Sequence, residues 1–274
     1  MTAALFTTHG AALLEDLLQR GVSAGASLVE VFAERTDHLG LLAEQDNITS
    51  VNPSFACGAG IRVFRGERDG FVSTNDLSMV GLTRALDQAL AMLGLEIGTR
   101  DSAGSFQGLR SLINHAATKE DWLQRCPSMA EAGDRLKQGT AHLDRLGQHL
   151  QVRRGSYARD WQEVLVAASD GTFARDIRLH QSTGLSVLAA DGDYRASIGR
   201  RYGSTDRPED LVNWNSETSA AEVCESAGTM LRADYVEAGQ MPVVLANRFG
   251  GVIFHEACGH LLETTQIERG TTPF

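Results

Sequence analysis

Two periodicities alternate along this chain and divide it into blocks. At residues 11–20 (AALLEDLLQR), Leu13, Leu14, Leu17 and Leu18 predict an amphipathic helix that stops at Gly21 or Gly25. Residues 28–35 switch to period two, with Val29, Val31 and Ala33 on one face of a strand and Glu30, Phe32 and Glu34 on the other; a further strand is expected at 39–44. CGAGIRVF at 57–64, a glycine-rich turn at 66–70 and FVST at 71–74 read as a hairpin. Asn75 or Asp76 stands where a cap would, before a helix to about residue 93 with Leu82, Leu86, Ala89, Leu90 and Leu93 facing inward. Residues 1–95 therefore read as an N-terminal αβ domain. Gly58, Gly60 and Gly66 lie in a strand pattern with no helix directly behind it, which favours the hairpin over a phosphate-binding loop.

Residues 97–115, rich in Gly and Ser, read as a linker or mobile loop. Trp122 and Leu123 anchor a short helix, and Ser128 opens a polar helix to about residue 146 with Met129, Ala132, Leu136 and Leu143 as its stripe. Together these make a linker and helical segment, 96–147. Four β-prone runs follow, 148–158, 161–168, 172–190 and 194–202, punctuated by Asp170-Gly171 and Asp191-Gly192. Val164, Val166, Ile177 and Leu179 suit an antiparallel sheet with one face packed and one wet. A helical turn at 209–214 and a helix at 216–233, burying Ala220, Val223, Cys224, Ala227 and Leu231, complete a middle domain, 148–238. Residues 241–246 look like a buried strand, after which Asn247 caps a helix carrying Val252, Ile253, Phe254, Ala257, Leu261 and Leu262. Residues 239–274 form a last block. The fold class is α+β.

Composition narrows the classes. A hydrophobic fraction of 42% with 22% charged residues is that of an ordinary globular chain. The net charge of -10, without a basic cluster, argues against a nucleic-acid partner. No apolar run reaches transmembrane length, and residues 3–6 are too short for a signal segment, so a soluble cytoplasmic protein is expected. Cys57, Cys126, Cys224 and Cys258 are far apart and read as reduced thiols, Cys258 as a small buried helix residue. Arg153, Arg154, Arg200 and Arg201, in or beside the strands, could grip a peptide carboxylate, although solvated edge charges are the commoner reading.

The chemistry concentrates at His255, Glu256 and His260. Two imidazoles and a carboxylate are what a hydrolytic zinc site needs: neutral nitrogen ligands and a base for a water proton. The familiar H-E-x-x-H places its histidines on one helix face, but here the pattern is H-E-x-x-x-H. On a regular helix residues five apart are roughly 140° apart, too far round to share an ion. A metal site therefore predicts a π-type widening or a break near Gly259; without metal the helix would be regular and its histidines satisfied by backbone or carboxylates.

FHEACGHLLE, followed by RGTTPF, resembles the metallopeptidase motif of the TldD/PmbA family, on its TldD side. GASLVEVFAER, GAGIRVFRGERDGFVSTNDLS and YARDWQEVLVAASDG resemble the same family's N-terminal and middle regions, in the same order. The resemblance implies a zinc-dependent peptidase subunit acting on extended or unfolded polypeptides. His255 and His260 would be zinc ligands and Glu256 the general base, with substrate-binding residues unassigned. It implies a related family subunit as partner, in a heterodimer, or a homodimer. It also implies that residues 239–274 are the start of a catalytic domain that is mostly absent, with a cysteine as third ligand in a part beyond residue 274, so this chain is expected to be a fragment or truncated relative, inactive or weak alone. A non-catalytic assembly or regulatory module pairing with a family subunit is the alternative. A DNA-associated role, suggested by older family names concerning gyrase, conflicts with the charge.

Overall fold

Four strands of 17 to 19 residues set the frame of the protein. The computed structural model describes residues 6, 10–98 and 106–273. It divides into two units, Met1–Arg232 and Ala233–Phe274.

The first unit begins with α1 (Gly10–Ser23), β1 (Leu28–Glu44), β2 (Asn47–Arg65), β3 (Arg68–Thr74) and α2 (Met79–Ala91). It continues with β4 (Ile113–Asn114), α3 (Trp122–Arg125), α4 (Met129–Leu146), β5 (Leu150–Ala168), β6 (Phe173–Asp191), β7 (Tyr194–Thr205) and α5 (Ser216–Arg232). The strands form one sheet in the order β3-β2-β1-β5-β6-β4, with β7 also on β6. All pairings are antiparallel except β4 with β6. β1 pairs with β2 on one side and with β5 on the other, so the blocks expected at 1–95 and 148–238 share a sheet.

The strands expected at 28–35 and 39–44 are one strand. Apolar alternation fails at Arg35 and Asp37, which occupy core-face positions. Each is met by an opposite charge from β5, Arg35 by Glu163 and Asp37 by Arg159. Glu163 is fully buried and is also held by Arg175, which pairs in turn with Glu120. A charge removed from water needs such partners.

Odd-numbered positions of the long strands build the core. Val29, Val31, Ile61, Val63 and Leu165 pack under Leu14, Leu17 and Leu18 of α1 and Leu82, Leu86 and Leu90 of α2. Leu39, Leu41 and Tyr157 meet Ala132 and Leu136 of α4; Leu185, Val187 and Ala189 meet Leu143 of α4 and Ala220 and Val223 of α5. Trp161, Ile177 and Leu179 complete the layer with Ala116 and Cys126. Helices thus cover one face of the sheet, and the even face carries Glu30, Glu34, His38, Asp160 and Gln162.

Ser128 caps α4 in a capping box with Glu131. The cap of α2, however, is Ser78, whose hydroxyl accepts from the Gly81 N–H, while Asp76 accepts from Ser78 N–H just outside the helix. The described part of the expected linker is docked: Phe106, Leu109 and Leu112 pack on the core, and Leu109 N–H donates to Glu15 at 3.0 Å. Residues 99–105 of that linker lie outside the described residues.

In the second unit no described residue is buried. The strand expected at 241–246 does not form; Val243 and Val244 are 74% and 95% exposed. An apolar run becomes a strand only where another strand satisfies its backbone, and none among the described residues pairs with it. Among the described residues, no helix is long and apolar enough to cross a membrane.

Candidate metal centre

Residues 248–262 form one helical run whose winding changes at every turn. It is 3-10 at Arg248–Gly251, α at Val252–Phe254, π at His255–Gly259 and 3-10 again at His260–Leu262. The His260 N–H donates to the His255 carbonyl five residues back. This widening brings side chains that a regular helix would hold roughly 140° apart towards one side. The His255 and His260 rings stand edge-on, with centroids 4.5 Å apart and planes at 69°. A ligand atom from each of His255, Glu256 and His260 lies within 4.8 Å of the others, and Glu256 Oε2 is 3.6 Å from His260 Nε2.

The winding is the one that the H-E-x-x-x-H spacing requires for its histidines to meet. Gly259 does not supply it through backbone freedom. Its φ of -58° and ψ of -52° are open to any residue. A Cβ there would rest 3.6 Å from His255 Nδ1, an ordinary contact.

Glu263 is the residue that motif reading passes over. A 2.7 Å hydrogen bond joins His260 Nδ1 to Glu263 Oε1. An ionised carboxylate only accepts, so Nδ1 carries the proton and Nε2 keeps its lone pair on the side of Glu256. A carboxylate that fixes the tautomer of a ligating imidazole is the usual supporting partner of a metal site. The bond to Glu263 raises the His260 pKa, its charge adds to this, and Glu256 contributes further. The signal was available: a carboxylate three residues beyond a helical histidine is within reach of its ring.

The donor set fits zinc in kind: imidazole nitrogens beside a carboxylate, one nitrogen oriented by an outer carboxylate. If Glu256 is kept as base, two protein ligands remain, one fewer than a catalytic zinc site normally has. Cys258, expected to be buried, is exposed because this unit has no core to receive it, and it does not belong to the convergent group. The other thiols are unpaired, and burial raises the pKa of Cys57, of Cys224 and of Cys126, the last to about 11. They are poor nucleophiles and metal ligands. Arg153 and Arg154 are engaged by Asp144 at 2.9 Å and Glu44 at 2.7 Å, and Arg200 donates to Ser226 at 3.2 Å.

Comparison with known proteins places the chain in a class. The model of the PmbA/TldA metallopeptidase domain 1 matches residues 29–93, and that of the PmbA/TldA metallopeptidase central domain matches residues 115–231. The chain belongs to the PmbA/TldD metallopeptidase family. Both matched stretches lie upstream of His255. A metalloprotease TldD homolog of Buchnera aphidicola (from Acyrthosiphon pisum) is 25% identical over 270 residues, covering 95% of this chain and 54% of the relative. Another, from Haemophilus influenzae, is 28% identical over 219 residues, covering 75% of this chain and 43% of the relative. The chain thus spans about half the length of the curated relatives it matches. The crystal structure of TldE from Thermococcus kodakarensis superposes with a TM-score of 0.58 at 16% identity, over 79% of this chain and 47% of that one. At that identity the likeness is one of fold.

Proposed function

We propose that this chain is the motif-bearing part of a TldD-like, zinc-dependent peptidase subunit that hydrolyses peptide bonds in extended or unfolded polypeptides. The observation that carries this reading is the π turn, which gathers two imidazoles and a carboxylate within 4.8 Å in a chain of a metallopeptidase family. One nitrogen each from His255 and His260 would hold the ion, with a third protein ligand expected from outside the described residues. Bound there, zinc supplies Lewis acidity, which makes water a better nucleophile and polarises a peptide carbonyl. Glu256 accepts the proton of the attacking water on a carboxylate oxygen and delivers it to the departing amine. Glu263 keeps His260 in the tautomer whose Nε2 is free to ligate.

The expected partner is a related family subunit; a TldE protein sharing this fold supports that choice. Cytoplasmic location goes with a chain of net charge -10 and unpaired cysteines. The test is Glu256→Gln in the full-length, zinc-loaded protein with its partner. Cleavage of an unfolded polypeptide should fall by about 10²-fold or more at unchanged zinc content. Undiminished turnover removes Glu256 as the base.

A further inference from the structure

The even face of the sheet, away from the apolar clusters, carries a groove of about 810 Å³ on β1, β2 and β3. Its floor is nearly bare backbone. Gly58 and Gly60 of β2 stand directly opposite Glu34 and Phe32 of β1. Phe71 of β3 lays its ring over Gly60 so closely that a Cβ there would come within 2.8 Å of it. A side chain at position 60 would push that ring aside.

Two aromatic rings, two carboxylates and the Arg62 side chain line the groove. Phe32 and Phe71 are 39% and 55% exposed, aromatic surface with no part in the core. Glu30 has no hydrogen-bond or ion-pair partner among the described residues. Its cross-strand neighbour Arg62 turns instead to Asp69, at 2.7 Å, and stacks over Phe64. Glu34 accepts a hydrogen bond from the neutral amide of Gln162 at 2.6 Å, which leaves its charge uncompensated. The carboxylates flank Phe32 on one strand face, at positions 30 and 34.

Uncompensated carboxylates among exposed rings complement a cation that also has apolar substance. An arginine side chain meets both demands: its planar guanidinium pairs with carboxylates and stacks on aromatic faces, and its methylene stem packs on apolar surface. The volume exceeds what one guanidinium fills and suits a side chain with its flanking residues. We propose that this groove binds an arginine side chain presented by a polypeptide segment. The inference does not rest on the metal reading: it uses residues 30–71 and Gln162 only and would stand if His255 and His260 bound no ion.

The test is calorimetric titration of the full chain with acetyl-Leu-Arg-Leu-amide and with the same peptide carrying citrulline, the neutral isostere of arginine. The arginine peptide should bind about tenfold more tightly, with the advantage shrinking as salt is raised. The Glu30→Gln/Glu34→Gln double variant, altered only at partly exposed positions, should lose that advantage and leave citrulline-peptide affinity unchanged. His255→Ala/His260→Ala should bind the arginine peptide as the parent does, which keeps this site distinct from the metal centre. Equal affinity for the two peptides would show apolar docking alone and overturn the proposal. So would no binding of either peptide, or a preference that survives in the double variant.

Discussion

The sheet unit and the motif segment contain the same kinds of apolar residue and treat them in opposite ways. In Met1–Arg232, Leu14, Leu86, Leu136, Ile177 and Leu179 are all less than 2% exposed. In Ala233–Phe274, Val244 is 95%, Phe254 66% and Leu262 58% exposed, and no described residue is buried. The first unit is held by its own core. The second shows, among the described residues, local backbone bonds and side-chain pairs in place of a core, and it bears the histidines. Its apolar surface is of the sort that marks a surface for further packing or partners. On the proposed reading, chemistry and stability fall in different stretches of chain, and substitutions should separate them.

The sharpest separation comes from truncating one apolar residue in each region. Leu86→Ala, in the layer under α2, should cost about 3 kcal/mol, within the usual range for a buried leucine. Phe254→Ala should change the same urea midpoint by less than about 0.5 kcal/mol, as an exposed substitution does. Comparable losses from the two would break the contrast.

Glu163→Ala probes the charged break in the sheet core and should cost about 3 kcal/mol, because Arg35 and Arg175 lose the carboxylate between them. Its cost is held down because Arg175 keeps Glu120 and Arg35 is one-third exposed. A neutral outcome in denaturant titration would mean that the triad contributes nothing to holding β1, β5 and β6 together.

The smallest expected effect is a shift on the pH axis. Glu263 raises the His260 pKa, so the ring takes up a proton, and gives up a metal, at a higher pH than it would alone. Metal affinity should therefore fall as pH drops through the histidine range. Glu263→Gln should move that fall to lower pH, because the ring then stays neutral further down. An unmoved midpoint in the variant would detach Glu263 from the site.

How legible all this was depends on what each signal encodes. Alternation marks β1 through Ala33 and stops at Arg35, because ion pairing across strands has no signature in a hydropathy pattern. The run at 241–246 reports apolarity, but a strand also requires a partner, which a local pattern cannot supply. The same limit explains Cys258, judged buried by residue type in a segment that has no core. Spacing carried more of the site: histidines five apart demand a π-type distortion if they are to meet, and the helix is π-wound at His255–Gly259. Glu263 escaped because the motif ends at its second histidine, although its ring contact lies three residues on.

The most direct test is zinc titration of this chain by calorimetry near pH 7.5, beside the His255→Ala/His260→Ala variant. The account predicts one site per chain, weaker than a complete catalytic centre because only two imidazoles contribute, and its loss in the variant. Identical zinc uptake by the two proteins, or none by the parent, would contradict it: the π turn would then bring two histidines together without making a metal site.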